Sequence, residues 1–294
     1  MNEAYDALAQ KYAWRDVPTP DEVPSVLYHY TDAAGLIGIL TSGRLRATDF
    51  RYLNDISEVV HTARLLMGMI AEKIKDGATP TVNLLYSSLL SKGSFLSEAE
   101  QTFIFSMTEE PDSLSQWRGY AREGKGFSIG LNAQVLAEQN LDDEGQFTLR
   151  KVVYDEQKQR RSLALALDAF EKQYVSDVRR KRDKEALSEV IYEALSEMVI
   201  VRGSTNKHKA FAVESEWRLV SFAEEPHDVD VRARGGELVP YIEFGAGRSK
   251  LPVDRIGIGP GFGASKQLQA VEVLCQKFGY EPEIYLADAP FRPL

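Results

Sequence analysis

The sequence predicts an α+β fold, a bent or split mixed β-sheet with peripheral helices and one helical insertion. Short apolar runs that are rich in aromatic and β-branched residues, such as Thr102–Thr108, predict strands. Apolar residues at helical spacing instead predict helices at about 56–75 and 157–201. Because 44% of the 294 residues are hydrophobic, the chain can bury a substantial core.

Residues 1–24 are predicted to form an N-terminal helix and an extended lead-in, since the prolines between 18 and 24 disfavour helical torsions. Residues 25–294 are predicted to form a single α+β domain with its helical insertion at about 157–201. The domain starts with a strand at Val26. Thr31 or Asp32 caps the next helix, Gly43 ends it in a left-handed conformation, and a second strand follows.

The remaining elements follow from periodicity and turn residues. A helix is expected at 113–121, and glycines at 124, 126 and 130 bracket a turn and a strand at 127–131. Their spacing differs from that of a dinucleotide-binding fingerprint, which lies between a strand and a helix. Later strands are predicted at 211–222, 241–244, 255–258 and 283–286, with a helix at 265–278.

Charge and cysteine content narrow the function classes. The formal net charge is −9, from 35 basic and 44 acidic residues, which opposes non-specific attraction to nucleic acid. The single cysteine, Cys275, lies in an apolar helical run and is interpreted as an inert buried thiol. With no signal-peptide core and no apolar run near ~20 residues, we expect a soluble, cytoplasmic protein that makes no membrane contact.

The first candidate site is the segment Leu27–Thr31, where His29 lies in an apolar strand just before a helix. A histidine whose pKa is near neutrality can orient a ribose or phosphate or act as a base, or it can simply bond a backbone carbonyl. Asp55 and Glu58 follow in the next turn, where they can bind a metal together or form a capping box at a helix start. The capping interpretation is the favoured one.

Arginines and late carboxylates complete the candidate site. Arg44 and Arg46 flank one strand residue and can meet a pyrophosphate, or remain surface arginines. In a strand, Glu214, Glu216 and Arg218 share one face, which must be wet, paired with a cation or built to hold a ligand.

These motifs resemble a large bacterial family known only as domain of unknown function 2971, over Val26 to about Arg292. The resemblance is carried by the Leu-Tyr-His-Tyr-Thr segment and the Leu-Asn-Asp turn that follows it. It also includes Gln116–Tyr120, Gly126–Gly130, Lys209–Phe211 with Glu214–Arg218, and Ala289–Arg292.

A more distant resemblance is to ADP-ribosyltransferases, which place a His or Arg on the first core strand, a Ser or Tyr on a middle strand and a Glu-x-Glu late in the chain. His29, Ser106 and the Glu214–Glu216 pair occur in that order. The resemblance implies an ADP-ribosyltransferase-like sheet and NAD as the substrate. It implies that Glu216 and Glu214 are catalytic and that NAD is bound by His29, Tyr30, Thr31, Arg46 and Ser106. In this arrangement His29 holds the adenosine-side ribose, Tyr30 packs on nicotinamide, Glu216 binds the nicotinamide ribose and Glu214 activates the acceptor.

The leading hypothesis is therefore NAD-dependent ADP-ribosyl transfer, with a role in bacterial defence or toxin systems and no need for a metal. The acceptor can be a protein, a nucleic acid, a small molecule or water. One alternative is a non-catalytic module that senses a nucleotide. Another is a metal-dependent nuclease that uses Asp55, Glu58, Glu214 and Glu216, with Lys209 nearby.

Overall fold

A computed structural model describes residues 3–15, 18–53, 56–93, 95, 102–142, 147–222, 229–245, 250–261 and 263–290. The chain divides into two compact units. The helical unit comprises Met1–Val17, Asp49–Thr102 and Val152–Phe211, and the sheet unit comprises Pro18–Thr48, Phe103–Lys151 and Ala212–Leu294. The predicted insertion at about 157–201 lies within the helical unit, which also contains the N-terminal helix and the helix at 56–75.

The helical unit contains α1 (Glu3–Ala13), α3 (Ile56–Lys75), α4 (Pro80–Ser91), α7 (Glu156–Arg179) and α8 (Lys184–Gly203). These helices bury their apolar stripes against one another, with Leu66, Phe170 and Ile191 almost fully inaccessible. Gly203 lets α8 approach α3 closely, since an added Cβ would lie 2.7 Å from the Val59 Cα. The predicted bounds of α3 are confirmed.

The sheet unit is built on β1 (Val26–Thr31), β2 (Leu45–Asp49), β3 (Thr102–Thr108), β4 (Phe127–Asn132) and β5 (Phe147–Lys151). It continues with β6 (Glu216–Phe222), β7 (Asp230–Arg234), β8 (Glu237–Phe244), β9 (Val253–Ile258) and β10 (Glu283–Leu286). Helices α2 (Ala33–Ser42), α5 (Leu114–Tyr120), α6 (Ala133–Asp142) and α9 (Ala264–Phe278) complete it.

The ten strands of the described residues form one mixed sheet, and eight of them follow the order β10-β9-β4-β1-β3-β2-β8-β7. Strand β6 leaves this path, pairing with both β3 and β5, so β3 has three partner strands. Strands β9 and β10 are parallel, whereas β1 and β4 are antiparallel. The predicted α+β class and mixed sheet are confirmed.

Local sequence explains the start of this sheet. Asp32 caps α2 by accepting a hydrogen bond from the Gly35 N–H, 2.9 Å away, and Gly43 ends the helix at φ +66°. The apolar side chains of β1, β3 and β4 form the main core on one face, as Leu27, Phe103 and Ile129 illustrate. On the other face, Tyr28 and Tyr30 pack with Trp117 in a smaller aromatic cluster.

One predicted strand is wrong in its first half. Residues Lys209–Glu214 form a 3-10 helix, and β6 begins only at Glu216. Ser215 lies between them at φ +42°, a left-handed conformation that breaks the alternation of a strand. Phe211 and Val213, which the predicted strand at 211–222 would place on one face, are exposed.

No helix among the described segments has both the length and the apolar content needed to cross a membrane.

Candidate functional site

His29 lies on β1 of the sheet unit, and its ring contacts the neighbouring strand β3. Its Nδ1 lies 2.9 Å from the main-chain carbonyl oxygen of Ser106, and its ring lies 4.3 Å from the Phe105 ring. Because a carbonyl can only accept a hydrogen bond, the neutral ring carries its proton on Nδ1. The Nε2 lone pair is thereby left as a hydrogen-bond acceptor.

The electrostatic environment keeps this imidazole neutral. Burial lowers the pKa of His29 to about 4, although the hydrogen bond to the Ser106 carbonyl opposes this change. The positive charge of Arg232 lowers the pKa further. At neutral pH His29 is therefore an uncharged acceptor, suited to a sugar hydroxyl.

Glu216 opens β6 and forms a buried ion pair within its own strand. Arg218 donates from Nε to Glu216 Oε1 at 2.7 Å and from its terminal nitrogen to Oε2 at 2.9 Å. Glu216 is 5% exposed and Arg218 is fully buried. Across the β5–β6 pair, Arg150 lies directly opposite Arg218 and is also buried. The two-residue spacing places Glu216 and Arg218 on one strand face, as predicted, and the arginine fixes the direction of the carboxylate.

Glu214 occupies a different environment from Glu216. It ends the 3-10 segment, and the turn at Ser215 separates it from β6. The predicted common strand face for Glu214, Glu216 and Arg218 is therefore wrong for Glu214. Its side chain is intermediate in exposure, whereas that of Glu216 is buried.

Thr108 at the end of β3 connects the early and late motifs. It lies in register opposite Tyr28, the residue next to His29. Its hydroxyl donates to the main-chain carbonyl of Glu214 at 2.6 Å. The next residue, Glu109, donates its N–H to the Ser215 carbonyl at 3.1 Å. Three strands that carry predicted site residues are thus joined at one end of β3.

Glu109 adds a charged network at the same end. Its Oε1 accepts hydrogen bonds from the indole N–H of Trp217 at 2.7 Å and from Lys151 at 2.8 Å. Burial raises the pKa of Glu109, but the bonds from Lys151 and Trp217 outweigh it and hold the pKa below its usual value. Sequence reasoning did not identify Thr108 or Glu109, since their role depends on contacts with residues 42 to 108 positions away.

Tyr30 and Thr31 serve mainly to hold the fold. The Tyr30 hydroxyl donates to the Glu110 carbonyl at 2.9 Å and accepts from the Ser113 N–H at 3.0 Å. Its ring is buried edge-on against Trp117, with centroids 4.7 Å apart. Since adjacent strand residues point to opposite faces, Tyr30 faces away from the side of His29. Thr31 packs against Gly35, where an added Cβ would lie 1.9 Å from the Thr31 hydroxyl oxygen.

Arg46 lies on β2, in register with Glu243 of β8. Its Nε lies 3.3 Å from Glu243 Oε1, and Arg44 binds the other oxygen of the same carboxylate at 2.6 Å. The Arg46 guanidinium also stacks 4.7 Å from the Tyr241 ring centroid. With its side chain 45% exposed, Arg46 can contact an anionic ligand.

The residues of the nuclease hypothesis are distributed differently. Asp55 lies outside the described residues, so its capping and metal-binding roles stay predictions. Glu58 in the helical unit lies 3.4 Å from the Lys207 ammonium, and both side chains are buried. Lys209 is exposed. Within the described ranges, no three His, Cys, Asp or Glu side chains are grouped to hold a metal ion.

Comparison with known families supports the resemblance found in the motifs. A family model described as "Protein of unknown function (DUF2971)" matches residues 116–219. This range includes Gln116–Tyr120, the Gly126–Gly130 turn and the Glu214–Arg218 motif. Neither the curated proteins nor the solved structures gave a match.

Proposed function

We propose that this member of the DUF2971 family binds NAD in its sheet unit and transfers ADP-ribose to an acceptor. The observation that carries the proposal is the position of Thr108. It lies in register opposite Tyr28, the residue next to His29, and its hydroxyl donates to the Glu214 carbonyl. The same relative order of histidine, middle strand and late carboxylates underlies the proposed likeness to the ADP-ribosyltransferase fold. A role in bacterial defence or toxin systems belongs to this proposal.

The carboxylate of Glu216 supplies the charge that the reaction requires. When the bond between nicotinamide and C1′ of ribose breaks, its electron pair leaves with nicotinamide and positive charge develops on the sugar. A fixed carboxylate stabilises this oxocarbenium character, as in glycosidases. Arg218 orients the Glu216 carboxylate through two hydrogen bonds before the substrate arrives.

His29 and Glu214 act on either side of this bond. The neutral His29 Nε2 accepts a hydrogen bond from the hydroxyl of the adenosine-side ribose, and the Ser106 carbonyl fixes the ring for that purpose. The partly exposed Glu214 carboxylate takes the proton of the acceptor as its oxygen or nitrogen attacks C1′. Tyr30 supports β1 rather than stacking on nicotinamide, because its hydroxyl and ring are already engaged.

A second candidate is nucleotide sensing without turnover. It is favoured by the burial of Glu216 and by the two hydrogen bonds from Arg218, which engage both carboxylate oxygens. A sensor with this site binds NAD and leaves the glycosidic bond intact. The two candidates therefore differ in product formation and agree in ligand.

The test measures nicotinamide release from NAD by the purified protein, with bacterial lysate as a source of acceptors and a chelator to remove divalent metals. Wild type is compared with Glu216→Gln and Glu214→Gln. Glu283→Gln is the matched control, since this exposed carboxylate pairs with Arg255 at the edge strand β10. Release that is lost in a Glu216 or Glu214 variant and kept in the control supports transfer.

If NAD raises the melting temperature of the protein but no nicotinamide is released, the result supports the sensor instead. If wild type releases no nicotinamide and its melting temperature is unchanged at millimolar NAD, both candidates are contradicted. Activity that appears only when magnesium or manganese is restored, with nucleic acid as the substrate, moves the assignment to the nuclease class.

A further inference from the structure

Arg232 on β7 is a partly buried cation in an unusual environment. Its terminal nitrogen donates to the Thr48 hydroxyl at 2.8 Å, reaching across β8 in the sheet. Its Nε is buried and lacks a hydrogen-bond partner. In the part of the chain that the structure describes, no carboxylate lies within ion-pair distance of this guanidinium. The Thr48 hydroxyl, which is neutral, therefore occupies the place of the anion that a buried guanidinium ordinarily binds.

Other arginines increase the positive charge around it. Burial lowers the pKa of Arg232, and the charges of Arg234 and Arg46 lower it further. Arg46 and Arg232 both stack on the Tyr241 ring, with guanidinium carbons 4.7 and 5.9 Å from the centroid. The Glu243 carboxylate is shared between Arg46 and Arg44, so its single charge faces two guanidinium groups.

This arrangement is unfavourable without a ligand. A buried, unsatisfied donor and repulsion between like charges both destabilise the folded chain. An anion that accepts from Arg232 Nε and from the terminal nitrogens of Arg46 removes both penalties. Phosphate oxygens match guanidinium geometry, because each arginine presents two parallel N–H groups.

We propose that Arg232, together with Arg46 and supported by Thr48 and Tyr241, forms a binding subsite for the phosphate groups of a nucleotide. The assignment to a nucleotide rests on the proposed function, whereas the phosphate chemistry rests on the arginines alone. Arg232 reaches Thr48 on β2, and β2 and the His29 strand β1 both flank β3 in the sheet.

The experiment titrates inorganic pyrophosphate into the full chain by calorimetry at low salt. Wild type is compared with Arg232→Gln, Arg46→Gln and the control Arg122→Gln. Arg122 belongs to the same unit, but its side chain is 75% exposed and pairs with Asp32. We expect Arg232→Gln to weaken pyrophosphate binding by about ten- to a hundred-fold, the effect of losing a charged hydrogen-bond partner. Arg122→Gln should bind as wild type does.

A melting curve without ligand separates this loss from misfolding. Because Arg232 is a partly buried charge whose Nε lacks an acceptor, Arg232→Gln should melt at the same temperature as wild type or higher. Absence of pyrophosphate binding in wild type, or equal binding by Arg232→Gln, overturns the subsite. So does an equal loss in Arg122→Gln.

The outcome is distinguishable from failure of the proposed function. Pyrophosphate binding that depends on Arg232, in a protein that neither binds nor cleaves NAD, upholds the phosphate subsite and contradicts the NAD proposal. Cleavage of NAD with the same KM in wild type and Arg232→Gln overturns the subsite and leaves the transferase proposal in place.

Discussion

The Thr108 hydroxyl donates a 2.6 Å hydrogen bond to the main-chain carbonyl of Glu214, 106 residues later in the chain. The same hydroxyl oxygen accepts from the Glu110 N–H at 3.1 Å. Thr108 therefore fixes both the end of β3 and the approach to β6. The Thr108 side chain, rather than regular strand pairing, holds the main chain at Glu214, from which the carboxylate projects.

Replacing Thr108 with valine keeps the side-chain shape and removes both hydrogen bonds. We expect a loss of about 1–3 kcal/mol in the free energy of unfolding, because the Glu214 carbonyl and the Glu110 N–H lose a partner. We also expect nicotinamide release to fall by about tenfold or more, since misplacing a catalytic group is costly. Thr108→Ser, which retains the hydroxyl, should preserve most of the rate. Equal rates in wild type and Thr108→Val would show that this bond does not position the site.

Removing the arginine of the Glu216–Arg218 pair should strongly destabilise the folded chain. Arg218→Met leaves the Glu216 carboxylate buried without its bidentate partner, and we expect a loss of about 3–5 kcal/mol. Arg122→Met removes an exposed arginine from its ion pair with Asp32 and should cost at most about 1 kcal/mol. Urea denaturation of the two variants measures both values. A similar small loss in both would mean that the Glu216 ion pair is not buried in solution.

The lowered pKa of His29 predicts a pH dependence of stability. The pKa is about 4 in the folded chain and near 6.5 in the unfolded chain, so the unfolded chain binds more protons between these values. The contribution of neutral His29 is complete above about pH 6.5 and is lost as the pH falls toward 4. Between pH 6.5 and 5, wild type should lose on the order of 1–2 kcal/mol more than His29→Gln. Identical pH profiles of unfolding would contradict a half-buried, neutral His29.

Gly257 is required by close packing on the aromatic face of the sheet. A Cβ at this position would lie 2.4 Å from the Ser128 hydroxyl oxygen and 2.6 Å from the Tyr285 ring. Gly257→Ala should therefore destabilise the chain by about 1–3 kcal/mol through overpacking. Gly38→Ala is the control, since this glycine lies within α2 with open space around its Cα. It should stabilise by about 0.5–1 kcal/mol in thermal melts, and a reversed order of the two variants would contradict the packing described.

Much of the fold follows from local sequence. The α2 caps at Asp32 and Gly43 were predicted, as were the bounds of α3, β3 and β10. Strands β5 and β7 were missed because charged side chains such as Arg150 and Arg232 interrupt their apolar pattern. Arg150 is nevertheless buried, in register opposite Arg218 of β6.

The candidate site was less predictable, because long-range contacts determine it. Alternation along a strand correctly placed Glu216 and Arg218 together. The same rule failed at Glu214, since bonds from Thr108 and Glu109 hold the chain through the left-handed turn at Ser215. The strand propensity of the residues around Glu214 does not predict these hydrogen bonds.

The most direct test of the central claim is the single-turnover rate of nicotinamide release from NAD by wild type and Glu216→Gln. Both proteins are measured below their melting temperatures and in chelator, because Glu216→Gln also weakens a buried ion pair. The account predicts release by wild type and a rate about a hundred- to a thousand-fold lower in Glu216→Gln. Equal rates in the two proteins, or no release by wild type, would contradict it.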